Sequence, residues 1–345
     1  MELNIGSRMI TERSPMYVIA EIGVNHNGSI GLAKQMVEAA RDAGADAVKF
    51  QMFRSEELVS EQAALVEYQK AGTEGSTQKE MLRRLELTDA EFLELKSFCD
   101  ASGVTFLATP FDINSAYRLG QMNVEAFKIG SGDITNLQLL EAVGSLRKPV
   151  ILSSGMSTLG EIEAAFDALK HAPHVALLHC TSAYPAPYDS INLRVIETLK
   201  PAFGSIIGYS DHTNGMEVPI AAAALGYKIL EKHFTLDRTM PGPDHQASME
   251  PQPFKRMIEG IRHVEQALGL PQKRLAGIES QTRMLVRRGV YAGKDLPAGH
   301  LIQEADLQFL RPLSDIDAAH YKQLAGRTTK RTFKKGEPLT WRGLL

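Results

Sequence analysis

Cysteine is scarce: the 345 residues hold two, Cys99 and Cys180. Two cysteines build no disulfide framework, so a reducing compartment is expected and a disulfide-stapled secreted fold is excluded. Long apolar runs are missing as well. No stretch reaches the roughly 18 residues of a membrane span, and residues 1–15, MELNIGSRMITERSP, are too polar for a secretory signal. A charge excess is also absent. The formal charge is −3 and the charged residues are scattered, which leaves no footprint for nucleic acid or an anionic membrane. No GxGxxG follows the first strand candidate, which argues against a dinucleotide-binding sheet. The expectation is a soluble cytoplasmic protein, 43% hydrophobic and long enough for one large domain plus a small one.

What the chain does have is repetition. Eight short β-rich runs recur: YVIAEIG (17–23), AVKFQ (47–51), VTFLATP (104–110), AFKIGSG (126–132), PVILSSG (149–155), VALLHCT (175–181), SIIGYSD (205–211) and KILEKHF (228–234). Segments of helical periodicity lie between them, for example residues 30–45, 88–103 and 158–172. Thr88 before Glu91 reads as a capping box, and Gly44 and Gly103 read as helix stops. Eight β/α units predict an α/β protein built on a (β/α)8 TIM barrel over residues 1–270. Residues 54–87 read as a long insertion after the second strand, ending in the helical TQKEMLRRLEL. Residues 271–284 read as a linker, and residues 285–345, turn-rich and basic, as a small β-rich domain near the lower size limit for folding alone.

Barrel strands bring their C-terminal ends to one mouth, so the polar residues there are read together. They are Glu21, Asn25, Lys49, Gln51, Thr109, Lys128, Ser131, Ser153, Ser154, His179, Ser182, Tyr184, Ser210, Asp211, His212, Lys232 and His233. Lys49 and Lys128 supply cations for a phosphate or carboxylate. The turns GSGD (130–133) and SSGM (153–156) can offer backbone N–H groups as anion nests. The alternative for each lysine is a rim charge paired with a neighbour. His212 and His233 end adjacent strands and suit a divalent metal with open coordination positions, against a structural role for each. His26, His179 and His245 fit supporting roles; His171, His174, His263, His300 and His320 are expected on the surface. Glu21, an acid closing a buried strand, either binds or proton-transfers to a substrate or pairs with Lys49. Cys180 is expected to point away from the mouth, since strand residues alternate, and Cys99 to pack on a helix.

The stretches AEIGVNHNG, VKFQ, FKIGSGDITN, ILSSGM, LLHCTSAYPAPY, IGYSDHT, LEKHFTLD and PGPDHQASMEP resemble the motifs of sialic acid synthases of the N-acetylneuraminate and legionaminate type. The last 60 or so residues are similar to that family's antifreeze-like (SAF, β-clip) domain. The resemblance implies condensation of phosphoenolpyruvate with the open-chain aldehyde of an N-acylated amino sugar, such as N-acetylmannosamine or its 6-deoxy diacetamido relative. Phosphate is released and a nonulosonic (sialic) acid results. It implies a divalent metal, Mn2+ or Mg2+, on His212 and His233. It places Lys49, Thr109, Lys128, Ser131, Ser153 and Ser210 around phosphoenolpyruvate. Around the acceptor it places Glu21, Gln51, Tyr184 and Asp244, with Ser182 in the same substrate-binding set. Glu21, Lys49, Lys128 and Asp133, the last standing where many relatives carry Glu, form the implied catalytic set. Arg311 matches an arginine that reaches the acceptor's acyl group from the other subunit of a domain-swapped homodimer. Two departures leave the acceptor open: RPLSDIDAAH replaces the family's Pro-Gly-Asn-Gly turn after Arg311, and Arg287 stands where some N-acetylneuraminate synthases have an aromatic residue. Two other readings compete: a phosphoenolpyruvate-dependent synthase acting on a sugar phosphate, which would want a second, arginine-rich anion pocket, and a carbohydrate- or ice-binding protein with an inert barrel, which the many Lys and Arg of residues 285–345 oppose.

Overall fold

A computed structural model describes residues 1–61, 63 and 77–345. The chain opens with an antiparallel hairpin, β1 (Glu2–Ile5) and β2 (Arg8–Thr11), which the sequence reading did not anticipate. Eight parallel strands follow: β3 (Tyr17–Gly23), β4 (Ala47–Met52), β5 (Thr105–Pro110), β6 (Phe127–Ile129), β7 (Val150–Ser153), β8 (Val175–Cys180), β9 (Ile207–Asp211) and β10 (Ile229–His233). They close into a barrel in chain order, with β10 pairing β3. The crossover helices are α1 (Ile30–Asp42), α2 (Ser55–Leu58), α3 (Gln78–Arg83), α4 (Asp89–Ser102), α5 (Ile113–Gln121), α6 (Leu137–Ser145), α7 (Leu159–Ala168), α8 (Ile196–Phe203), α9 (Glu217–Leu225) and α10 (Pro251–Leu268). Of the expected insertion at 54–87, residues 62 and 64–76 lie outside the described residues; α2 and α3 are its described helices.

The helix punctuation works as its chemistry requires. Thr88 and Glu91 form a reciprocal capping box on α4, and Thr158 and Glu161 form another on α7. Gly103 ends α4 in the left-handed region at φ 72°. Among the described residues no helix is long and apolar enough to cross a membrane.

Strand alternation divides the barrel into two surfaces. Val18, Ala20, Val48, Phe50, Phe106, Ala108, Leu177, Ile207, Tyr209 and Leu230 turn outward under the helices and are buried there with Met36, Phe92, Leu95, Leu139 and Phe254. Tyr17, Ile19, Ala47, Leu107, Ile151, Ala176, Leu178 and Ile229 turn inward and fill the lower bore. Leu3, Ile5 and Ile10 of the hairpin pack with that inner set, so β1 and β2 close the floor of the barrel. The alternate apolar residues of two four-residue strands are too short a signal to stand out in the sequence.

The chain divides into two compact units, Met1–Gly269 and Leu270–Leu345. In the smaller one α11 (Glu279–Val286) precedes the antiparallel pair β11 (Gly289–Ala292) and β12 (Leu307–Leu310). Part of the stretch expected as linker is thus helical. A separate core of Val290, Leu296, Ile302, Ile316, Leu324, Phe333 and Leu339 holds this unit together. His300, expected on the surface, is half-buried, and its Nε2 lies 2.7 Å from Asp306.

Candidate functional site

Two residues above the uppermost apolar inner side chain of seven strands, the same strand parity brings a polar one or a thiol. Ile19 is followed by Glu21, Ala47 by Lys49, Leu107 by Thr109, Ala126 by Lys128, Ile151 by Ser153, Leu178 by Cys180 and Ile229 by Glu231. These groups line a cavity of about 630 Å³ at the mouth, together with Gln51, Ser131, Ser182, Tyr184, Ser210, His212, His233 and Asp244. The structure therefore gathers most, but not all, of the sequence-predicted site residues in one place.

The floor is a buried quartet of two lysines and two carboxylates. Lys49 Nζ lies 2.8 Å from Glu21 Oε2 and 3.8 Å from Glu231 Oε2, and donates to Thr109 Oγ1 at 3.2 Å. Lys128 Nζ donates to Ser153 Oγ at 2.8 Å and to the Ile129 carbonyl at 3.1 Å, and lies 3.5 Å from Glu231 Oε1. Ser210 Oγ donates to the same Oε1 at 3.1 Å. Gln51 Nε2 donates to Glu21 Oε1 at 2.9 Å. The Lys49–Glu21 pairing offered as one reading of Glu21 is thus present. Glu231 is a residue the sequence reading missed. Its signal was available: it shares strand parity with His233, one pleat below.

Burial would raise both acids and lower both lysines. For Glu231 the two lysines win and hold its carboxyl low. For Glu21 burial, aided by repulsion from Glu231, prevails over Lys49 and raises its pKa. Lys49 is held high because Glu21 and Glu231 outweigh its burial, whereas burial and the neighbouring Lys49 pull Lys128 down. The floor therefore sets Lys49 and Glu231, both shifted toward their charged forms, beside Glu21 and Lys128, both shifted toward their neutral forms.

Beside the floor is a cradle of small groups. The Gly155 N–H donates to Ser131 Oγ at 2.9 Å. A Cβ on Gly155 would stand 2.3 Å from Ser182 Oγ and 2.8 Å from Ser131 Oγ, so only glycine fits there. The turn of Ser131–Asp133 is a single 3-10 turn. Asp133 itself is absent from the cavity lining. Its carboxylate accepts from Asn136, and burial pushes its pKa up to about 6.

The imidazoles of His212 and His233 stand 5.6 Å apart, centroid to centroid, with Tyr184 4.1 Å from His212 and 5.6 Å from His233. His212 Nδ1 lies 2.8 Å from the Thr181 carbonyl, which can only accept, so this nitrogen carries a proton and Nε2 keeps its lone pair when the ring is neutral. His233 Nδ1 is buried without a hydrogen-bond partner, 3.9 Å from Asp244 Oδ2. Burial, then His212 and Lys49, push the His233 pKa well down, favouring the neutral ring. Burial opposes charge on His212 too, but Cys180 and the Thr181 carbonyl outweigh it. Two imidazoles able to offer ring lone pairs fit a divalent cation that fills its other positions from substrate and water. Among the described residues no group of three or more His, Cys, Asp or Glu forms a closed cage. Asp244 is pushed up to about 6 by burial and Glu21.

Several expectations are corrected by parity. Cys180 faces the cavity, its sulfur 3.8 Å from His212 Nδ1, because Ala176, Leu178 and Cys180 are the inward residues of β8. His179 turns outward instead and bonds the Ile191 carbonyl at 2.6 Å. Asp211 and Lys232 also turn outward and pair with each other in the barrel wall. Ser154 leaves the mouth, bonding the Leu178 carbonyl at 2.9 Å. Arg311 lies in the smaller unit, exposed at the end of β12 beside Arg288 and Phe309.

The polar loop after β3 has a holding role. Asn25 Nδ2 donates to the Phe234 carbonyl at 2.9 Å and to Ser248 Oγ at 2.8 Å. Asn27 Nδ2 donates to the Pro241 carbonyl at 2.9 Å, and His245 bridges Asn27 and Thr235. The loop that carries Asp244 is thereby tied to the first strand.

Comparison with known proteins agrees with this arrangement. The family model for the NeuB family matches residues 36–273, and that for the SAF domain matches residues 287–345. The N,N'-diacetyllegionaminic acid synthase of Campylobacter jejuni is 41% identical over 325 residues, 93% of this chain and 97% of that protein. The enzyme of the same name from Legionella pneumophila is 41% identical over 332 residues, 94% of this chain and 93% of that protein. Among solved structures, the N-acetylneuraminic acid synthetase of Leptospira borgpetersenii superposes with a TM-score of 0.73 at 37% identity, covering 82% of this chain and 95% of that one. The chain belongs to the NeuB family and ends in a SAF domain.

Proposed function

We propose that this protein is a nonulosonic acid synthase, joining phosphoenolpyruvate to the aldehyde of an N-acylated amino sugar with release of phosphate. The observation that carries the reading is the lysine–carboxylate floor standing beside the His212–His233 pair, in a mouth where an anionic substrate and a carbonyl can meet. NeuB-family membership supports it.

Phosphoenolpyruvate carries two anionic ends. Lys128, Ser153 and Ser131, the last held by the Gly155 N–H, offer a cradle for one, and Lys49 with Thr109 offers a cation and a hydroxyl for the other. C3 of the enolpyruvate then forms the new bond to the acceptor's aldehyde carbon, and the aldehyde oxygen takes a proton. Glu21, which lines the cavity and whose pKa burial shifts upward, is the donor we assign. Water adds at C2, the C–O bond to phosphate breaks, and the 2-keto acid remains. Glu231, held ionised by both lysines, faces that carbon's cationic character. Where Mn2+ or Mg2+ is held by His212 and His233, it would supply Lewis-acid polarisation of the aldehyde.

The acceptor is assigned as unphosphorylated. The lysines lining the described cavity, Lys49 and Lys128, are both at the floor, and its opposite side is apolar, with Val24, Phe53, Met81, Leu82 and Phe111. Arg311 is assigned to the acceptor's acyl group in a domain-swapped homodimer. The test is phosphate release from phosphoenolpyruvate and Mn2+ with N-acetylmannosamine, its 6-deoxy diacetamido relative and an altrose counterpart. Release that requires both an N-acylated sugar and the cation is expected. No release with any of the three would overturn the assignment.

A further inference from the structure

We propose that the outward-facing pair Asp211–Lys232 is a positioning clamp that sets the separation of the two imidazoles; this rests on the reading of His212 and His233 as a cation-binding pair. Asp211 immediately precedes His212 at the end of β9, and Lys232 immediately precedes His233 at the end of β10. The two are cross-strand partners in the parallel ladder. Alternation sends both histidines into the mouth and both charged residues into the wall behind it. A contact between the charged pair therefore fixes, one residue on, how the two rings face each other.

The contact is built for that purpose rather than for surface solubility. The side chains are 0% exposed for Asp211 and 4% for Lys232. Lys232 Nζ donates to Asp211 Oδ2, and to the Thr213 carbonyl at 2.8 Å. The other oxygen, Asp211 Oδ1, accepts from Tyr209 OH at 2.9 Å, Thr213 N–H at 3.0 Å and Thr213 Oγ1 at 2.9 Å. Thus Lys232 on β10 and Asp211 on β9 both grip Thr213, and His212 is held from either side. Its own Nδ1 is pinned to the Thr181 carbonyl in the loop that follows β8. A buried ion pair is weak as a stabiliser, because desolvation offsets most of the attraction. What a hydrophobic pair in this place would not supply is a directional link between two specific strand ends.

The distinguishing variant is Asp211→Leu with Lys232→Met, which removes both charges together and leaves no buried charge unpaired. Manganese binding to the purified, metal-free full chain is followed by titration calorimetry with MnCl2. Expected are a folded protein with a lowered Tm, because Tyr209 OH and the Thr213 N–H and hydroxyl lose their shared acceptor, a KM for phosphoenolpyruvate within about twofold, and Mn2+ affinity weakened about 10–100-fold, the range for groups that orient metal-binding histidines. Wild-type Mn2+ affinity in the folded double variant would overturn the clamp. Should that variant not fold, Asp211→Asn carries the same test, since it keeps the shape and one acceptor oxygen; Mn2+ binding about threefold weaker or more is expected, and unchanged binding overturns the proposal. A metal-free readout separates the clamp from the cation reading. The 15N signals of the His212 ring report the proton held on Nδ1, and they shift in the variant if the clamp positions the ring. If wild type binds no Mn2+ while those signals shift, the cation reading fails and the clamp stands; if the signals stay unchanged, the clamp fails.

Discussion

The lower and upper halves of the barrel bore are made by the same strands, through residues of the same parity, one pleat apart. Below stand Ile19, Ala47, Leu107, Ile151 and Ile229; above them stand Glu21, Lys49, Thr109, Ser153 and Glu231. Successive same-face residues are separated by roughly 7 Å, so an apolar core gives way to a fully buried charged floor within one layer. The lower half is dry, closed by the β1–β2 hairpin, and its side chains contribute stability through burial and packing. In the upper half, four ionisable groups are desolvated for the sake of a substrate that will complete their pairing. The comparison shows how a barrel separates its two tasks: stability sits where the strands enter, chemistry where they leave.

Breaking the upper layer should abolish function and spare the fold. Lys128→Met removes the cation nearest Ser153, while Glu231 keeps Lys49 and Ser210 as partners. We expect kcat/KM for phosphoenolpyruvate to fall about 10²–10³-fold, as for loss of one preorganised electrostatic contact, with a much smaller rise in the requirement for the sugar. Tm should change little. Steady-state kinetics with each substrate varied in turn, beside thermal melts, measures both. An equal loss toward both substrates would show that Lys128 does not belong to the phosphoenolpyruvate cradle.

Breaking the lower layer should do the reverse. Ile151 is fully buried one pleat below Ser153. Ile151→Ala leaves a cavity in a closed bore and should cost about 2–5 kcal/mol of stability. At a temperature where the variant is folded, its kcat and both KM values should stay near wild type. Denaturant unfolding reads the first and initial rates the second. A variant with intact stability and a lost rate would mean that the two halves are not separable in this way.

The architecture was legible in the sequence because it is repeated. Eight apolar runs with helix punctuation between them leave few alternatives, and the capping box at Thr88 marks where a helix begins. The site was legible to the extent that the polar residues cluster at strand ends. What the list of strand-end residues did not convey was parity. Asp211, Lys232 and His179 are as polar as their neighbours, yet each turns into the wall, while Cys180 and Glu231 turn into the mouth. A single residue of register decides this, and register is set by pairing with neighbouring strands rather than by local composition. The hairpin under the barrel escaped notice because its apolar residues, Leu3, Ile5 and Ile10, carry meaning only against the inner faces of strands far along the chain.

The smallest expected effect concerns Asp133, at the rim but outside the cavity lining. Burial raises its pKa to about 6, against the Asn136 hydrogen bond that favours the charged form. In the unfolded chain an ordinary aspartate titrates near 3.9. The folded state therefore binds the proton more tightly, so the contribution of this group is fully present below about pH 4 and is lost as pH rises toward about 6. Asp133→Asn keeps a neutral, hydrogen-bonding side chain at every pH. The variant should match wild type in Tm near pH 4 and exceed it near pH 7, and the drop in wild-type stability between those values should flatten. Melting curves across pH 4–7 for both proteins give the answer. Turnover of the variant sharpens the contrast between lining and rim: a rate near wild type fits a side chain outside the cavity, whereas loss on the scale expected for Lys128→Met would place the Asp133 carboxylate in the chemistry.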